Sequence, residues 1–399
     1  MSFGFIRIGN GRPLSDLLAD VLSNEKMEVN IERQFLYLDG RRVDAGNYKL
    51  WSTEIMSDGN PALADVFRFL ESWFDGSPTV TVRTSGSTGA PKTLVVRKEQ
   101  MVQSARITCG YLHLQERDTA LLCMNLRYIG AMMVVVRALV AGLELLVREP
   151  SGHPLAELAT PVRFASMVPL QVYNSLQVRQ EKERLKQIGT LLIGGGAVDE
   201  ALENELRDFP GAVYSTYGMT ETLSHIALRR LSGVEASECY YPFPSVRLSL
   251  SAENTLVIDA PLVCDEVLTT NDIARIRPDG GFFILGRKDN IINSGGVKIQ
   301  PEEVEKKLRP FIRAPFAVTS VPDKRLGEAL VLLVEGSGGR LEACPDWLAQ
   351  LPPYHRPKRI RYVKELPGAG NGKVDRAGCR RLAHALFASN GADEAQRAE

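Results

Sequence analysis

A chain of 399 residues, 44% of them hydrophobic and 24% charged, is long enough for two or three domains and has the composition of an ordinary globular protein. Its 48 basic residues balance its 48 acidic residues, so no global field favours nucleic acid or an anionic membrane as a partner. The N-terminus lacks the apolar core of a signal peptide, and the most apolar stretch, residues 130–147, is interrupted by Arg137 and Glu144, which together predict a cytoplasmic protein without a membrane span.

The first strong feature in chain order is a run of small and hydroxylated residues between a β-branched strand at 80–82 and a helical pattern that begins at Met101. The run reads Thr84-Ser85-Gly86-Ser87-Thr88-Gly89-Ala90-Pro91-Lys92-Thr93. Its backbone N–H groups, hydroxyls and lysine can hold a polyphosphate, and its glycines let the backbone approach closely. A flexible linker is disfavoured because the run ends in Pro-Lys, and a P-loop is disfavoured because proline stands where that pattern needs an amide-donating glycine. We therefore predict a phosphate-binding loop that leaves a strand and precedes a helix.

From Ala120 to Gly218 short apolar strands alternate with helices. The predicted strands are 120–124, 143–147, 164–168, 190–193 and 212–215, and the predicted helices are 129–141, a short one from Leu170, and 199–209. This alternation predicts a mostly parallel sheet that helices cover on both faces, with ligands beyond the carboxyl ends of the strands. The phosphate loop, the glycines at 194–196 and the segment after Ser215 all follow predicted strands, so we expect them to share one cleft.

After Tyr241 the pattern changes to short strands and turns. Strands are predicted at 256–259 and 266–270, with a hairpin turn at 278–281, and a small α+β unit follows with a helix at 302–308, strands at 316–321, 330–334 and 360–363, and a last helix after Asp375. The sequence therefore predicts an α/β fold in two parts. Residues 1–287 form a large N-terminal domain with mostly parallel sheets covered by helices and a β-rich subdomain, and residues 288–399 form a small α+β C-terminal domain.

The segment Tyr214-Ser215-Thr216-Tyr217-Gly218-Met219-Thr220-Glu221-Thr222 offers side chains that suit a nucleotide and its metal. An aromatic ring can stack on a purine, Thr220 can reach a phosphate oxygen, and Glu221 can bind the magnesium that accompanies ATP. The alternative is a helix start at which Thr220 and Glu221 only cap free amides. Further along, Asp272 in Thr269-Thr270-Asn271-Asp272 can accept hydrogen bonds from both hydroxyls of a ribose, or it is an ordinary turn residue at a strand end.

Two segments near the C-terminus complete the series. Residues 285–305 read as a turn, a Gly-Gly loop and a proline-started helix with acids in its first turn, which local stability alone would explain. Residues 366–376 contain Lys373 within Asn371-Gly372-Lys373, and an exposed lysine in a loop is most often only solvated.

Together and in this order, these segments resemble the signature motifs of the adenylate-forming superfamily, which includes acyl-CoA and aryl-CoA synthetases, peptide-synthetase adenylation domains and luciferases. The resemblance extends from Val80 to Arg376. It departs from the family pattern where Thr93 replaces the last glycine of the phosphate loop and where Asn271 replaces the glycine of a Thr-Gly-Asp motif. About eighty residues precede the loop, fewer than in most members, so the chain resembles a compact variant.

The resemblance implies a role for each matching residue. Lys373 would contact the carboxylate and the α-phosphate during adenylation, Asp289 would be the hinge of a mobile C-terminal domain, and Glu221 would be the metal ligand. The implied catalytic residues are Lys373, Thr220, Glu221 and Lys92. The implied positions for binding ATP or coenzyme A are Thr84, Ser85, Gly86, Ser87, Thr88, Gly89, Gly195, Gly196, Ala197, Ser215, Thr216, Tyr217, Gly218, Met219, Thr220, Asp272, Arg287, Ser294, Gly295, Gly296 and Lys298.

Within the superfamily the chain is most similar to short bacterial o-succinylbenzoate:CoA ligases of menaquinone biosynthesis. The similar segments are Arg127-Tyr128-Ile129, residues 167–174, residues 193–197 and residues 220–225. This likeness implies an acyl pocket that contains Tyr128, Gly195, Met219, Thr222 and His225. Short ligases of this type often carry a lysine soon after the tyrosine, whereas this chain has Gly130-Ala131-Met132-Met133, so another aromatic or small acyl acid remains an alternative.

The resemblance thus implies an AMP-forming acid:CoA ligase that uses ATP, Mg²⁺ and coenzyme A. The acid would first become an acyl-adenylate, and the thiol of coenzyme A would then displace AMP. One alternative is an enzyme that loads an aryl or acyl acid onto the phosphopantetheine of a carrier protein, and another is a degenerate sensor that binds ATP without turnover. The sequence leaves open whether the chain forms a homodimer.

Overall fold

A nine-stranded mixed sheet forms the frame on which most of the predicted site residues are placed. The computed structural model describes residues 7–8, 12–13, 29–56, 60–83, 93–312, 314–336, 348, 351–369 and 373–395. Within this part of the chain no helix is both long and apolar enough to cross a membrane.

The secondary structure alternates strands and helices as far as Gly218 and is dominated by strands after it. The strands are β1 (Arg7–Ile8), β2 (Arg12–Pro13), β3 (Phe35–Leu38), β4 (Arg41–Asp44), β5 (Thr79–Arg83), β6 (Thr93–Arg97), β7 (Thr119–Leu122), β8 (Glu144–Val147), β9 (Phe164–Met167), β10 (Thr190–Ile193), β11 (Ala212–Gly218), β12 (His225–Arg230), β13 (Tyr241–Pro242), β14 (Arg247–Leu250), β15 (Thr255–Asp259), β16 (Leu268–Ile276), β17 (Phe282–Arg287), β18 (Ile292–Ser294), β19 (Val297–Ile299), β20 (Phe316–Asp323), β21 (Gly327–Glu335), β22 (Arg359–Val363), β23 (Gly368–Ala369) and β24 (Lys373–Val374). The α-helices are α1 (Tyr48–Met56), α2 (Pro61–Trp73), α3 (Lys98–Tyr111), α4 (Ile129–Ala141), α5 (Pro169–Gln177), α6 (Arg179–Lys186), α7 (Glu200–Leu206), α8 (Pro301–Leu308) and α9 (Arg376–Ala395). Short 3-10 turns lie at Ile31–Arg33, Thr220–Thr222, Lys288–Asn290 and Pro353–His355.

The large sheet has the strand order β13-β12-β11-β10-β9-β7-β8-β3-β4. Its central strands β11, β10, β9, β7, β8 and β3 pair in parallel, and antiparallel strands complete both edges. Strand β10 is buried along its whole length, and its residues pack alternately on the two sides, with Leu192 in one hydrophobic cluster and Leu191 and Ile193 in another. A strand that is covered on both faces needs no polar alternation, which is why these segments are continuous apolar runs. The predicted α/β class with a mostly parallel sheet is confirmed.

The sequence of helix α4 explains both its burial and the residue at which it ends. Its apolar residues are buried almost all round, and it ends at Gly142, whose φ of +64° is left-handed. A Cβ on Gly142 would lie 2.9 Å from the ring of Phe35, so both the backbone conformation and the packing favour glycine there. The predicted helix at 129–141 is confirmed at both ends.

The secondary structure that follows the phosphate loop differs from the prediction. Strands β5 and β6 pair with each other antiparallel, with Arg83 opposite Thr93, in a two-stranded sheet separate from the large one. The loop therefore joins the arms of a hairpin, and strand β6, which was not predicted, lies between the loop and helix α3, which begins at Lys98. Half-buried and exposed residues alternate along β6, as expected for a strand that pairs with β5.

Two other strands extend further than predicted, and as a result several predicted site residues lie within strands. Strand β11 continues from Ser215 to Gly218, so Thr216 and Tyr217 lie within the sheet. Strand β16 runs to Ile276, so Asp272 lies inside a strand and pairs with Arg287 of β17 across the predicted hairpin. The expectation that Asp272 ends a strand was wrong, because this ladder continues past it.

The second half of the chain contains a four-stranded antiparallel sheet, β14-β15-β16-β17, and a five-stranded sheet, β19-β18-β21-β20 with β22 on β21. The five-stranded sheet is packed on both faces, with helix α8 contributing to one hydrophobic cluster and helix α9 to the other. In the described residues, the hydrophobic clusters of the first part of the chain reach Phe282, and those of the last part begin at Ile292.

Candidate active site

The carboxyl ends of β9, β10 and β11 lie side by side and bring two predicted segments together. Ile193, the last residue of β10, is level with Ser215 of β11, so the glycines at 194–196 leave the sheet beside Thr216. The Thr216 hydroxyl donates a hydrogen bond to the Ile193 carbonyl over 3.3 Å, and a Cβ on Gly194 would lie only 2.6 Å from the Thr216 hydroxyl oxygen. The absence of a side chain at Gly194 therefore lets this turn lie directly against β11.

Next along β11, Tyr217 forms one end of a polar cluster with Asp272 and Arg287. The Tyr217 hydroxyl donates to Asp272 Oδ2 over 2.7 Å, and Arg287 Nη1 donates to Asp272 Oδ1 over 3.0 Å. Burial, followed by the charge of Asp272 and its hydrogen bond, raises the pKa of Tyr217 above its ordinary range. The phenol therefore stays protonated and acts as a donor, and Asp272 keeps free lone pairs on both oxygens, since a carboxylate can accept about four hydrogen bonds.

Aromatic packing fixes the ring of Tyr217. Its centroid lies 5.3 Å from that of Phe282 in an edge-to-face arrangement and 5.9 Å from that of Tyr240. The hydroxyl of Tyr240 is in turn 2.8 Å from Ser215 Oγ on the strand that carries Tyr217. These contacts immobilise the ring at the end of β11, where the sequence predicts a purine-binding aromatic.

Arg287 links the same cluster to Asp289, the predicted hinge residue. Asp289 Oδ2 accepts from Arg287 Nη2 over 3.0 Å and from Asn271 Nδ2 over 3.1 Å. Burial alone would lower the pKa of Arg287, but the hydrogen bond with Asp289 and the charges of both carboxylates raise it. Asp289 lies in a 3-10 turn between β17 and β18, where the chain passes from one group of hydrophobic clusters to the other.

The turn after β11 carries Thr220 and Glu221 and is closed by internal contacts. The Thr222 hydroxyl accepts from the Met219 backbone N–H over 3.1 Å and donates to the Ser224 carbonyl over 2.8 Å. Leu223 adopts a φ of +64°, which costs a residue with a side chain about 1 to 3 kcal/mol. A turn that retains such strain is held by the structure around it.

Glu221 is the group in this turn that suits a metal. It is exposed, and its carboxylate makes no hydrogen bond or ion pair with another described residue. The described residues contain no cluster of three His, Cys, Asp or Glu side chains that could hold an ion by themselves. Magnesium fits such a site, because it is commonly held by one or two carboxylates together with nucleotide phosphates and water.

Comparison with known proteins shows the family to which this chain belongs. The family model described as AMP-binding enzyme matches residues 68–261. A solved acyl-CoA synthetase (AMP-forming)/AMP-acid ligase II-like protein from Dyadobacter fermentans is 33% identical, with a TM-score of 0.56, and the alignment covers 80% of this chain and 94% of that one. The chain belongs to the AMP-binding enzyme family.

Two further similar proteins are less similar in sequence than the Dyadobacter protein. The 2-succinylbenzoate–CoA ligase of Escherichia coli (strain K12) is 26% identical over 308 residues, which are 73% of this chain and 65% of that ligase, so the chain spans about two thirds of its length. The o-succinylbenzoate coenzyme A synthetase of Bacillus subtilis, solved with ATP and a magnesium ion, is 22% identical and has a TM-score of 0.63, with 74% of this chain and 68% of that one covered. The latter likeness supports the fold. The predicted superfamily is confirmed, and so is the prediction of an AMP-forming acid:CoA ligase.

The remaining predicted residues of this AMP-binding enzyme fall into three groups. Tyr128 is 42% exposed at the start of α4, whereas His225 is buried behind the turn. Ser294, Gly295, Gly296 and Lys298 lie in or beside the β18–β19 hairpin, with Ser294 buried and the other three exposed. Lys373 lies in β24 opposite Ala369, and its side chain is outside the described part of the structure. Also outside the described residues are Thr84, Ser85, Gly86, Ser87, Thr88, Gly89 and Lys92.

Sequence reasoning missed a polar group behind the turn. Arg137, which the sequence shows only as an interruption of an apolar stretch, is buried and donates to Ser224. Tyr240, the partner of Ser215 and neighbour of Tyr217, was missed as well. A charged residue in the middle of an otherwise apolar helix was the available signal for Arg137.

Proposed function

We propose that this chain activates an aromatic carboxylic acid of the o-succinylbenzoate type with ATP and then transfers the acyl group to coenzyme A. The observation that carries the proposal is the Tyr217–Asp272–Arg287 cluster beside a turn that presents the carboxylate of Glu221, which has no partner among the described residues. The family membership supports the chemistry, and the name of the related E. coli ligase supports the choice of acid.

In the first half-reaction an oxygen of the acid's carboxylate attacks the α-phosphorus of ATP. The bond from that phosphorus to the bridging oxygen breaks, and pyrophosphate leaves. Asp272 and Arg287 hold the nucleotide, and Thr220 and the phosphate loop with Lys92 hold its phosphates. Lys373 stabilises the charge that develops on the reacting oxygens. Glu221 would hold magnesium, whose positive charge would lower the repulsion between the phosphates and the incoming carboxylate.

In the second half-reaction the sulfur of coenzyme A attacks the acyl carbonyl carbon. The bond from that carbon to the phosphate oxygen breaks, AMP leaves, and the thiol proton passes to water. Residues 294–298 of the β18–β19 hairpin line the path of the thiol. The two half-reactions use different faces of a C-terminal domain, residues 288–399, that turns about Asp289 against the domain of residues 1–287. The division of the hydrophobic clusters between Phe282 and Ile292 supports this boundary.

The acid lies between the start of α4 and the ends of β10 and β11. Tyr128, Gly195 and Met219 are at least partly accessible to it. Thr222 and His225 are buried and contribute by shaping the wall that Met219 presents. We infer that these residues line a largely apolar pocket with few polar groups, which suits an aryl acid.

Acid-dependent exchange of labelled pyrophosphate into ATP tests the activating step. Purified protein is assayed with magnesium and a panel of o-succinylbenzoate, benzoate and anthranilate, and the thioester is sought by mass spectrometry after addition of coenzyme A. Exchange and thioester formation with o-succinylbenzoate above the other acids is the expected result. Exchange with benzoate or anthranilate alone would replace the proposed acid, and a protein that binds ATP but exchanges pyrophosphate with no acid would refute the function.

A further inference from the structure

Arg137 is a buried cation that has no counter-ion among the described residues. It lies in the middle of helix α4 with 2% of its surface exposed, and no carboxylate of the described residues is within salt-bridge distance. Burial lowers the pKa of Arg137 to about 10, so the guanidinium remains charged at neutral pH. Burying a charge costs several kcal/mol unless hydrogen bonds compensate, and the Nε–H of Arg137 has no partner in the described structure.

The guanidinium begins a chain of hydrogen bonds whose direction is fixed. Arg137 Nη2 donates to Ser224 Oγ over 2.8 Å, and Ser224 Oγ lies 3.2 Å from His225 Nδ1. At the other end, Thr108 donates its single hydroxyl proton to the Ser104 carbonyl over 3.1 Å, so Thr108 Oγ1 accepts from His225 Nε2 over 3.0 Å. A neutral His225 ring that is protonated at Nε2 accepts at Nδ1, and Ser224 is then the donor to it. Burial and the charge of Arg137 hold the pKa of His225 well below its usual range, in agreement with a neutral ring.

This chain of hydrogen bonds includes Ser224, which belongs to the turn that carries Glu221. Ser224 closes the turn, since its N–H donates to the Thr222 carbonyl over 2.7 Å and its own carbonyl accepts from the Thr222 hydroxyl. The backbone of Gly218, at the other end of the turn, packs so closely on Ser224 that a Cβ there would lie 2.1 Å from the Ser224 carbonyl oxygen. Any displacement of Ser224 would therefore displace both ends of the turn. The left-handed Leu223 between them gives the turn a tendency to relax.

We propose that Arg137 is a positioning residue that acts through Ser224 to hold Thr220 and Glu221 in the arrangement that binds magnesium and the nucleotide phosphates. The hydrogen bond to Ser224 compensates part of the free-energy cost of burying this cation. This role rests on the proposed function only in assigning magnesium to Glu221. Residues that orient a metal ligand typically change metal affinity about 10- to 100-fold when they are removed.

The test compares Arg137→Met and Ser224→Ala with Leu139→Met, a volume-conserving control in the same helix that is 1% exposed. Binding of Mn²⁺ to the ATP complex, followed by electron paramagnetic resonance, gives a readout that is independent of turnover. Arg137→Met and Ser224→Ala should each weaken Mn²⁺ binding by about 10- to 100-fold, whereas Leu139→Met should bind it as the parent does. Urea unfolding of each protein separates these effects from a general loss of stability.

A second readout concerns the tautomer of His225. In the parent at pH 7, ¹⁵N chemical shifts should show a neutral ring protonated at Nε2, and Ser224→Ala should lose this single tautomer because Nδ1 loses its donor. Folded variants that bind Mn²⁺-ATP like the parent would overturn the proposal, as would a parent His225 protonated at Nδ1. Should Arg137→Met fail to fold, Ser224→Ala decides the question, because it removes a single oxygen. Failure of the proposed acid activation would appear instead as absent pyrophosphate exchange in a parent that still binds Mn²⁺-ATP.

Discussion

The close approach of Gly218 to the far side of the turn makes a single methyl group a sensitive probe of the site. Gly218→Ala would place a Cβ 2.1 Å from the Ser224 carbonyl oxygen and 2.5 Å from the His225 Cα, both backbone atoms that no side-chain rotation can move away. Real Cβ contacts are essentially never below 3.0 Å, so the two backbone segments must separate by about 0.9 Å. The movement falls on residues immediately before Met219, Thr220 and Glu221.

The expected cost follows from that displacement. Misplacing a catalytic group by about 1 Å reduces the rate on the order of 100-fold, or about 2.7 kcal/mol of transition-state stabilisation. The steric strain itself should lower the free energy of unfolding by about 1 to 3 kcal/mol. Gly218→Ala should therefore remain folded at 25 °C and lose most of its acid-dependent pyrophosphate exchange.

Gly110→Ala is the matched control. Gly110 lies in helix α3, where an added Cβ has no neighbour within 4 Å, and alanine there should raise stability by up to about 1 kcal/mol without changing exchange. The two variants are compared by urea unfolding and by pyrophosphate exchange at saturating ATP and acid. A folded Gly218→Ala protein with the parent rate would refute the claim that the turn's position controls adenylation.

Three further substitutions test assigned roles. Lys373→Ala should slow adenylation about 100- to 1000-fold in a pyrophosphate-exchange assay while ATP binding, measured by calorimetry, stays near the parent value; an unchanged rate would remove Lys373 from the mechanism. Glu221→Gln keeps the shape and the capping oxygen but loses the charge, so the magnesium concentration for half-maximal exchange should rise at unchanged stability, and an unchanged requirement would leave only a capping role. Asp289→Pro fixes φ near −65° and should suppress one half-reaction far more than the other, whereas Asp289→Ala, which loses only the carboxylate, should affect both alike. Equal, small losses in both half-reactions of Asp289→Pro would return Asp289 to the status of a turn residue.

The parts of the fold that the sequence predicted well are those with local signals. Helix α4 and strand β10 were predicted at their observed ends because a long apolar helix and a short buried strand each carry their period in consecutive residues. Strand β6 was missed because its five residues form a strand by pairing with β5, and that pairing is not visible in the short segment itself. Helix α6 was missed because seven of its eight residues are polar or charged, so it has no apolar stripe to detect.

In the candidate site, too, short segments could be recognised from the sequence, whereas contacts between distant residues could not. The motif with Tyr217 and Glu221 and the position of Asp272 were found from short segments, but the hydrogen bond between Tyr217 and Asp272 joins residues 55 positions apart and depends on the packing of two sheets. The contact between Arg137 and Ser224 spans 87 positions. A linear pattern indicates that an arginine in an apolar helix is costly, and only the folded chain shows which hydroxyl it meets.

The β5–β6 hairpin also bears on how the phosphate loop can vary in length. Because Arg83 and Thr93 are paired, the segment between them starts and ends at points one inter-strand spacing apart, whatever its own length. The entropy of closing that segment rises only as the logarithm of its length, so doubling it would cost about 0.6 kcal/mol. Stability therefore places little restraint on insertions between these two strands. Under the proposed function, the phosphates that the loop binds would set its length.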